Sequence, residues 1–182
     1  MIKILLARHG EAAKGPSISD PTLTTLGHRQ ASLLAQSLPR DTYLELVSSP
    51  KLRAQQTAQP LAEKWGQIIT IESRVSEIPT PKGISLQQRL PWLRSLLTQN
   101  WDPNNRQQKK WRNEIISYLL SIHEDTIVFC HFMVINSVIA HILEDSKIQQ
   151  FRPDYTSITE LRLTKGNLNL VQLGRERISK IS

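Results

Sequence analysis

The sequence holds one cysteine, Cys130, in 182 residues. That excludes an intrachain disulfide and fits a reducing compartment such as the cytoplasm. No signal peptide is expected either: "MIKILLARHGE" reaches Arg8 too early for the apolar stretch of one. Long apolar runs are few. Ile127 to Leu143 comes nearest, but His131, Asn136, Ser137 and His141 interrupt it. A spanning helix wants about 20 apolar residues with few such interruptions. The segment therefore reads as a buried strand followed by a helix, and no membrane partner is expected. Repeats, low-complexity tracts and internal linkers are absent. One domain, 1–182, is expected, able to bury roughly two thirds of its unfolded surface.

What is present is basic. The net charge is +7 and the pI near 9.8, with 39% apolar residues. Nucleic acid, a solvated basic surface and a concave site for an anionic small molecule all fit that charge. The cations are spread along the chain, with one local cluster at "NNRQQKKWR" (104–112). No nucleic-acid motif accompanies it, so specific nucleic-acid binding is not expected.

Periodicity orders the chain. "IKILLA" (2–7) predicts a buried strand, and "LTTLGHRQASLLAQSL" (23–38) a helix capped by Thr24 or Thr25 and stopped at Pro39. "YLELV" (43–47) predicts a second strand. A helix follows, with Ser49 as its cap and Pro50 in its first turn. "IITI" (68–71) predicts a third strand. Residues 74–110 are proline-rich and irregular, with a helix near 85–98 and another from 105 to 122. "TIVFC" (126–130) is a strand. "MVINSVIAHIL" (133–143) is a helix with apolar positions 134, 135, 138, 139, 142 and 143 on one wide face. Lys165-Gly166-Asn167 joins two alternating runs as a hairpin. Strands alternating with helices predict a three-layer α/β/α sandwich with a mostly parallel central sheet and an antiparallel edge strand.

Arg8, His9, Arg53 and His131 follow three different strands in this scheme. Ligands of open α/β sheets bind outside the carboxyl ends of the strands. The topology therefore allows these residues to converge beside helix N-termini, as a pocket for a dense anion such as phosphate. Arginine suits phosphate through its forked guanidinium. Neutral imidazole is a good nucleophile, and nearby arginines favour the neutral form. Gly10 would let backbone or substrate approach closely. Cys130 beside His131 raises a cysteine-phosphatase reading, but a C-x5-R loop needs arginine at position 136, which is Asn136. Cys130 is read as a small buried residue, and His28, His123 and His141 as residues without a role.

Taken in order, "LARHGE" (6–11), "DPTLTTLGHRQA" (20–31), "SSPKLRAQQTA" (48–58), "SEI" (76–78), "CHFMVIN" (130–136) and "SIT" (157–159) make the chain resemble the histidine phosphatase (phosphoglycerate mutase-like) superfamily. The resemblance implies that His9 is phosphorylated, that Arg8, Arg53 and His131 hold the phosphoryl group, and that Glu77 is the proton donor, with Glu72 and Glu11 as alternatives. It implies a phosphatase for a small phosphomonoester, needing no metal or organic cofactor. A protein phosphohistidine phosphatase, a phosphoglycerate mutase-like enzyme and a non-catalytic phosphate-binding interaction module are the other readings. Residues 79–110 are expected to cover the substrate. Trp92, Trp101 and Trp111 either line a leaving-group pocket or, as the preferred reading, pack the excursion onto the sheet. Phe132 stands where glycine commonly follows the second histidine, which implies a narrower pocket. Nothing in the sequence sets an oligomeric state.

Overall fold

The computed structural model describes residues 1–15 and 17–177; residues 178–182, included in the single-domain expectation, lie outside them. Six strands form one sheet: β1 (Ile2–Arg8), β2 (Glu45–Ser48), β3 (Thr70–Ile71), β4 (Thr126–Cys130), β5 (Ile158–Thr164) and β6 (Asn167–Gln172). Their order is β3-β2-β4-β1-β5-β6. The pairs β3–β2, β2–β4 and β4–β1 are parallel, whereas β5 is antiparallel to β1 and to β6. The sheet is thus mixed. The closing hairpin supplies the antiparallel pairing expected of it, and the one reversed strand, β5, lies one position in from the edge.

The helices are α1 (Thr25–Ser37), α2 (Leu52–Trp65), α3 (Arg89–Leu96), α4 (Arg106–Leu120) and α5 (Phe132–Ile142). Period-two alternation sends side chains of each central strand to opposite faces. Leu5, Ala7, Ile127 and Phe129 pack with Leu34, Ala35, Ala54, Ala58 and Leu61 of α1 and α2. Ile4, Leu6, Val128 and Cys130 pack on the other face with Ile115, Leu119, Val134 and Val138 of α4 and α5. These are the three expected layers. Lys64 of α2 donates to the carbonyls of Ala35 and Leu38, satisfying acceptors at the end of α1.

Several local expectations shift. The side chain of Thr24 caps α1 by accepting from Gly27 N–H at 3.0 Å, as expected. Helix α2, however, starts at Leu52 after Lys51, not at Ser49 and Pro50. Ser49 continues the strand ladder instead, its N–H donating to Phe129 C=O at 3.0 Å. The carboxylate of Asp20 accepts the Leu52 N–H from a distant loop. The second strand is displaced to 45–48 and the third shrinks to two residues. Helix α5 is buried all round from Met133 to Ala140 rather than on one face, and Leu143 is exposed. Trp101 and Trp111 belong to the core, with Trp92 packed against it, so the packing reading of the tryptophans holds. His28, His123 and His141 are exposed. No helix among the described residues is long and apolar enough to cross a membrane.

Candidate functional site

Three parallel strands end level. Arg8 of β1 pairs with Cys130 of β4, and Ser48 of β2 with Phe129. The ladder runs one residue further: His9 N–H donates to Cys130 C=O at 3.1 Å. Level ends set His9, Ser49 and His131 side by side, and the two imidazole centroids are 5.3 Å apart. Arg53, in the first turn of α2, reaches the same point. Its Nε–H donates to His9 Nε2 at 3.2 Å. Because β5 runs the opposite way, its leading segment returns to this edge, and Tyr155 stands 6.1 Å from the His9 ring.

Hydrogen bonding assigns the His9 tautomer. Nδ1 lies 2.7 Å from Gly10 C=O, which can only accept, so Nδ1 carries the proton. Nε2 receives the Arg53 Nε–H, so it holds a lone pair. Burial first, then the charges of Arg53 and Arg8, lower the His9 pKa well below its ordinary 6.5. The ring is therefore neutral at physiological pH, with a nucleophilic nitrogen facing a guanidinium.

Two glycines permit the loop that presents His9. A Cβ on Gly10 would lie 2.8 Å from Gly27 C=O, and one on Gly27 only 2.1 Å from Glu11 C=O. The close neighbour that Gly10 allows is thus the start of α1. Gly10 N–H donates to Thr57 Oγ1 at 2.9 Å, and that hydroxyl donates to Arg53 C=O, tying the loop to α2.

His131 is fully buried and its pKa is lowered well below the ordinary value, by burial first and then by Arg53. Its Nε2 is 2.8 Å from Ser49 Oγ, whereas its Nδ1 has no partner. A buried ring nitrogen without a partner is costly unless a ligand supplies one. Ser49, expected as a helix cap, orients this imidazole instead.

Glu77 hangs between two anchors. Val75 and Ile78 are fully buried, and Trp111 Nε1–H donates to Ser76 C=O at 3.0 Å. The carboxylate accepts the Ile78 N–H at 3.0 Å and the Met133 N–H at the start of α5. Burial raises its pKa above the ordinary 4.5 although Arg53 and these donors pull it down. Arg8 and Arg53 both feel its charge. The alternatives are engaged elsewhere: Glu72 is paired with Arg74 at 2.8 Å, which lowers its pKa, and Glu11 accepts from Thr24 Oγ1 at 2.9 Å.

Arg8 is held rather than free. One terminal nitrogen donates to Pro153 C=O at 2.8 Å, and the guanidinium lies 4.2 Å from the Tyr155 centroid and 5.3 Å from that of Phe132. Phe132, in the position where a glycine was the expectation, forms part of this aromatic clamp. Arg8 Nε is buried without a partner. Cys130 is fully buried and burial raises its thiol pKa strongly, as suits a packing residue.

A cleft of about 580 Å³ opens beside Arg53. Lys14, Lys51, Arg89 and Arg94 contribute to its lining, and among the described residues no carboxylate does. Arg89 is held by Thr80 Oγ1 and Ile78 C=O, and its charge reaches Glu77, Arg53 and His131. Among the described residues, no group of three or more His, Cys, Asp or Glu is arranged to hold a metal ion.

The profile described as histidine phosphatase superfamily (branch 1) matches residues 4–176. The chain belongs to that superfamily. Phosphoserine phosphatase 1 of Hydrogenobacter thermophilus is 37% identical over 83 residues, covering 43% of this chain and 39% of that protein. The probable phosphoglycerate mutase GpmB of Photorhabdus laumondii is 29% identical over 121 residues, covering 64% and 50%. The matches to these curated relatives thus span half of their length or less. A solved phosphoserine phosphatase from Entamoeba histolytica, in complex with 3-phosphoglyceric acid, shares the fold. Its TM-score is 0.76 at 22% identity, with 97% of this chain and 98% of that chain covered.

Proposed function

We propose that this protein is a phosphatase that hydrolyses a small phosphomonoester through a phosphohistidine at His9. The observation that supports this most is the His9 tautomer: Nδ1–H is tied to Gly10 C=O and the Nε2 lone pair faces Arg53. In the free enzyme Arg53 Nε–H occupies that lone pair. When phosphate arrives, the guanidinium exchanges this bond for a stronger charge-assisted one to a phosphoryl oxygen and releases Nε2 for attack.

Nε2 attacks phosphorus and the ester P–O bond breaks. Glu77, whose pKa burial raises, is the acid that gives a proton to the leaving oxygen. Arg8, Arg53 and His131 hold the phosphoryl oxygens, the last through the unpartnered Nδ1 once it carries a proton. The tautomer required is the one in which Ser49 Oγ–H donates to His131 Nε2. In the second half-reaction the Glu77 carboxylate takes a proton from water, the oxygen attacks phosphorus, and the N–P bond breaks. Residues 86–94, at the cleft, cover the leaving group.

A leaving group that needs a proton favours alkyl phosphates over phosphohistidine, whose imidazole leaves without one. The test is a phosphoester panel run on wild type and His9→Ala together. Turnover of at least one alkyl phosphate that His9→Ala loses by about 10⁴-fold or more is expected. Equal rates in the two proteins would refute the proposal.

A further inference from the structure

The cleft beside Arg53 is lined by cations from three separate segments. Toward the catalytic residues lie Arg53, Arg89 and Lys51, whose charges reach His131. Lys14 and Arg94 also line the cleft, the first from the loop after β1 and the second from helix α3. Both are exposed. None of Lys14, Lys51, Arg89 and Arg94 forms an ion pair among the described residues. Arg94 lies five residues beyond Arg89, about 7.5 Å along a helix axis.

Apolar side chains share this cleft with the cations. Ile18, Leu86 and Leu90 line the same cleft and are 41%, 40% and 48% exposed. Leu90 and Arg94 stand four apart in α3, the spacing that stacks side chains on one helix face. Exposed aliphatic groups gathered in a cleft rimmed by cations mark a surface that a ligand covers. A short phosphoester would engage only the inner cations and leave this wall wet.

Resting on the phosphatase reading, we propose that the substrate is an elongated phosphomonoester with an apolar middle and a second anionic group at its far end. The phosphate enters at His9 and Arg53, the apolar part lies on Ile18, Leu86 and Leu90, and Lys14 and Arg94 receive the distal anion.

The test separates binding from turnover. Two non-hydrolysable probes, 4-phenylbutylphosphonate and its para-carboxy analogue, are titrated calorimetrically into wild type and into a Lys14→Gln/Arg94→Gln double variant. Both substituted residues are exposed, so the fold is retained, as circular dichroism and a thermal melt check. Wild type binds the carboxylated probe about tenfold more tightly, and the double variant about equally, as expected for two solvent-facing charge pairs. Equal binding of the probes by wild type, or a preference that survives in the double variant, overturns the substrate assignment. Failure of phenyl phosphate hydrolysis in wild type would instead count against the phosphatase reading, whichever probe binds better.

Discussion

Replacing Gly27 with alanine is a severe test of how the fold holds His9, although Gly27 is not itself a candidate for the chemistry. The new methyl would stand 2.1 Å from Glu11 C=O, 3.0 Å from the Glu11 carbonyl carbon and 3.1 Å from its nitrogen. Comfortable contact needs roughly 3.5 Å, so the oxygen is short by about 1.4 Å. All three atoms are backbone, two residues from His9. Residue 10 offers no relief, since it already sits against Gly27. The strand-end loop must therefore move by about an ångström. A misplacement of that size at a reacting group can cost about 10²-fold in rate. Overpacking typically costs about 1–3 kcal/mol, worth about 2–4 °C per kcal/mol in a chain of this size. The assay is kcat/KM on an alkyl phosphate together with a thermal melt. Gly66→Ala is the control: Gly66 has φ 64° with nothing within 4 Å of the added methyl, at the end of α2. It should lower Tm through backbone strain and leave kcat unchanged. A Gly27→Ala protein with wild-type kcat/KM and Tm would refute the reasoning.

Three further outcomes follow from the site. Glu77→Gln should slow phosphoenzyme formation from alkyl phosphates by about 10²–10⁴ but spare that step for esters of acidic phenols, whose leaving oxygen needs no proton, as read from the initial burst of released alcohol or phenol; equal losses on both would remove Glu77 from the acid role. Ser49→Ala frees His131 Nε2 and should lower kcat about tenfold with the fold retained, as judged by circular dichroism and a melt. For pH, the depressed pKa values of His9 and His131 mean that the folded state resists protonation there. Their contribution to stability is full above the unfolded value near 6.5 and is lost as pH falls below it, by up to about 1.4 kcal/mol per pH unit for each proton. Glu77 has the opposite sign: its raised folded pKa favours the protonated form, so its contribution is present at low pH and is lost as pH rises through the folded value. The proposed mechanism needs neutral His9 and protonated Glu77, so kcat/KM should decline on the alkaline side as Glu77 ionises and persist below pH 6.5. Denaturant melts and rate profiles across pH check both limbs; a rate that rises steadily through neutrality would contradict the assignment.

Much of this was legible because strand ends are periodic facts. Short apolar runs placed β1, β2 and β4, and the residues just beyond them had to share an edge. His9, Arg53 and His131 were accessible in that way. What escaped was polar partnership across loops. Ser49 follows a strand and precedes a proline, so local spacing reads it as a cap; only the level register of β2 and β4 reveals His131 as its partner. Asp20 completes the start of α2 from 32 residues away, and no local pattern carries that information. Arg89 and Tyr155 lie in segments whose positions are set by tertiary packing rather than by periodicity. Helix α5 read as amphipathic because Asn136, Ser137 and His141 are polar. Yet Asn136 is buried by accepting the Gln150 and Phe151 N–H groups, so its polarity is satisfied inside.

The most direct measurement is to trap the enzyme in acid-free denaturant during turnover of a ³²P-labelled phosphoester and locate the label by peptide mapping. The account predicts an acid-labile, base-stable phosphoramidate on the peptide containing His9, lost in His9→Ala. Label on another residue, or hydrolysis that proceeds normally in His9→Ala, would contradict it.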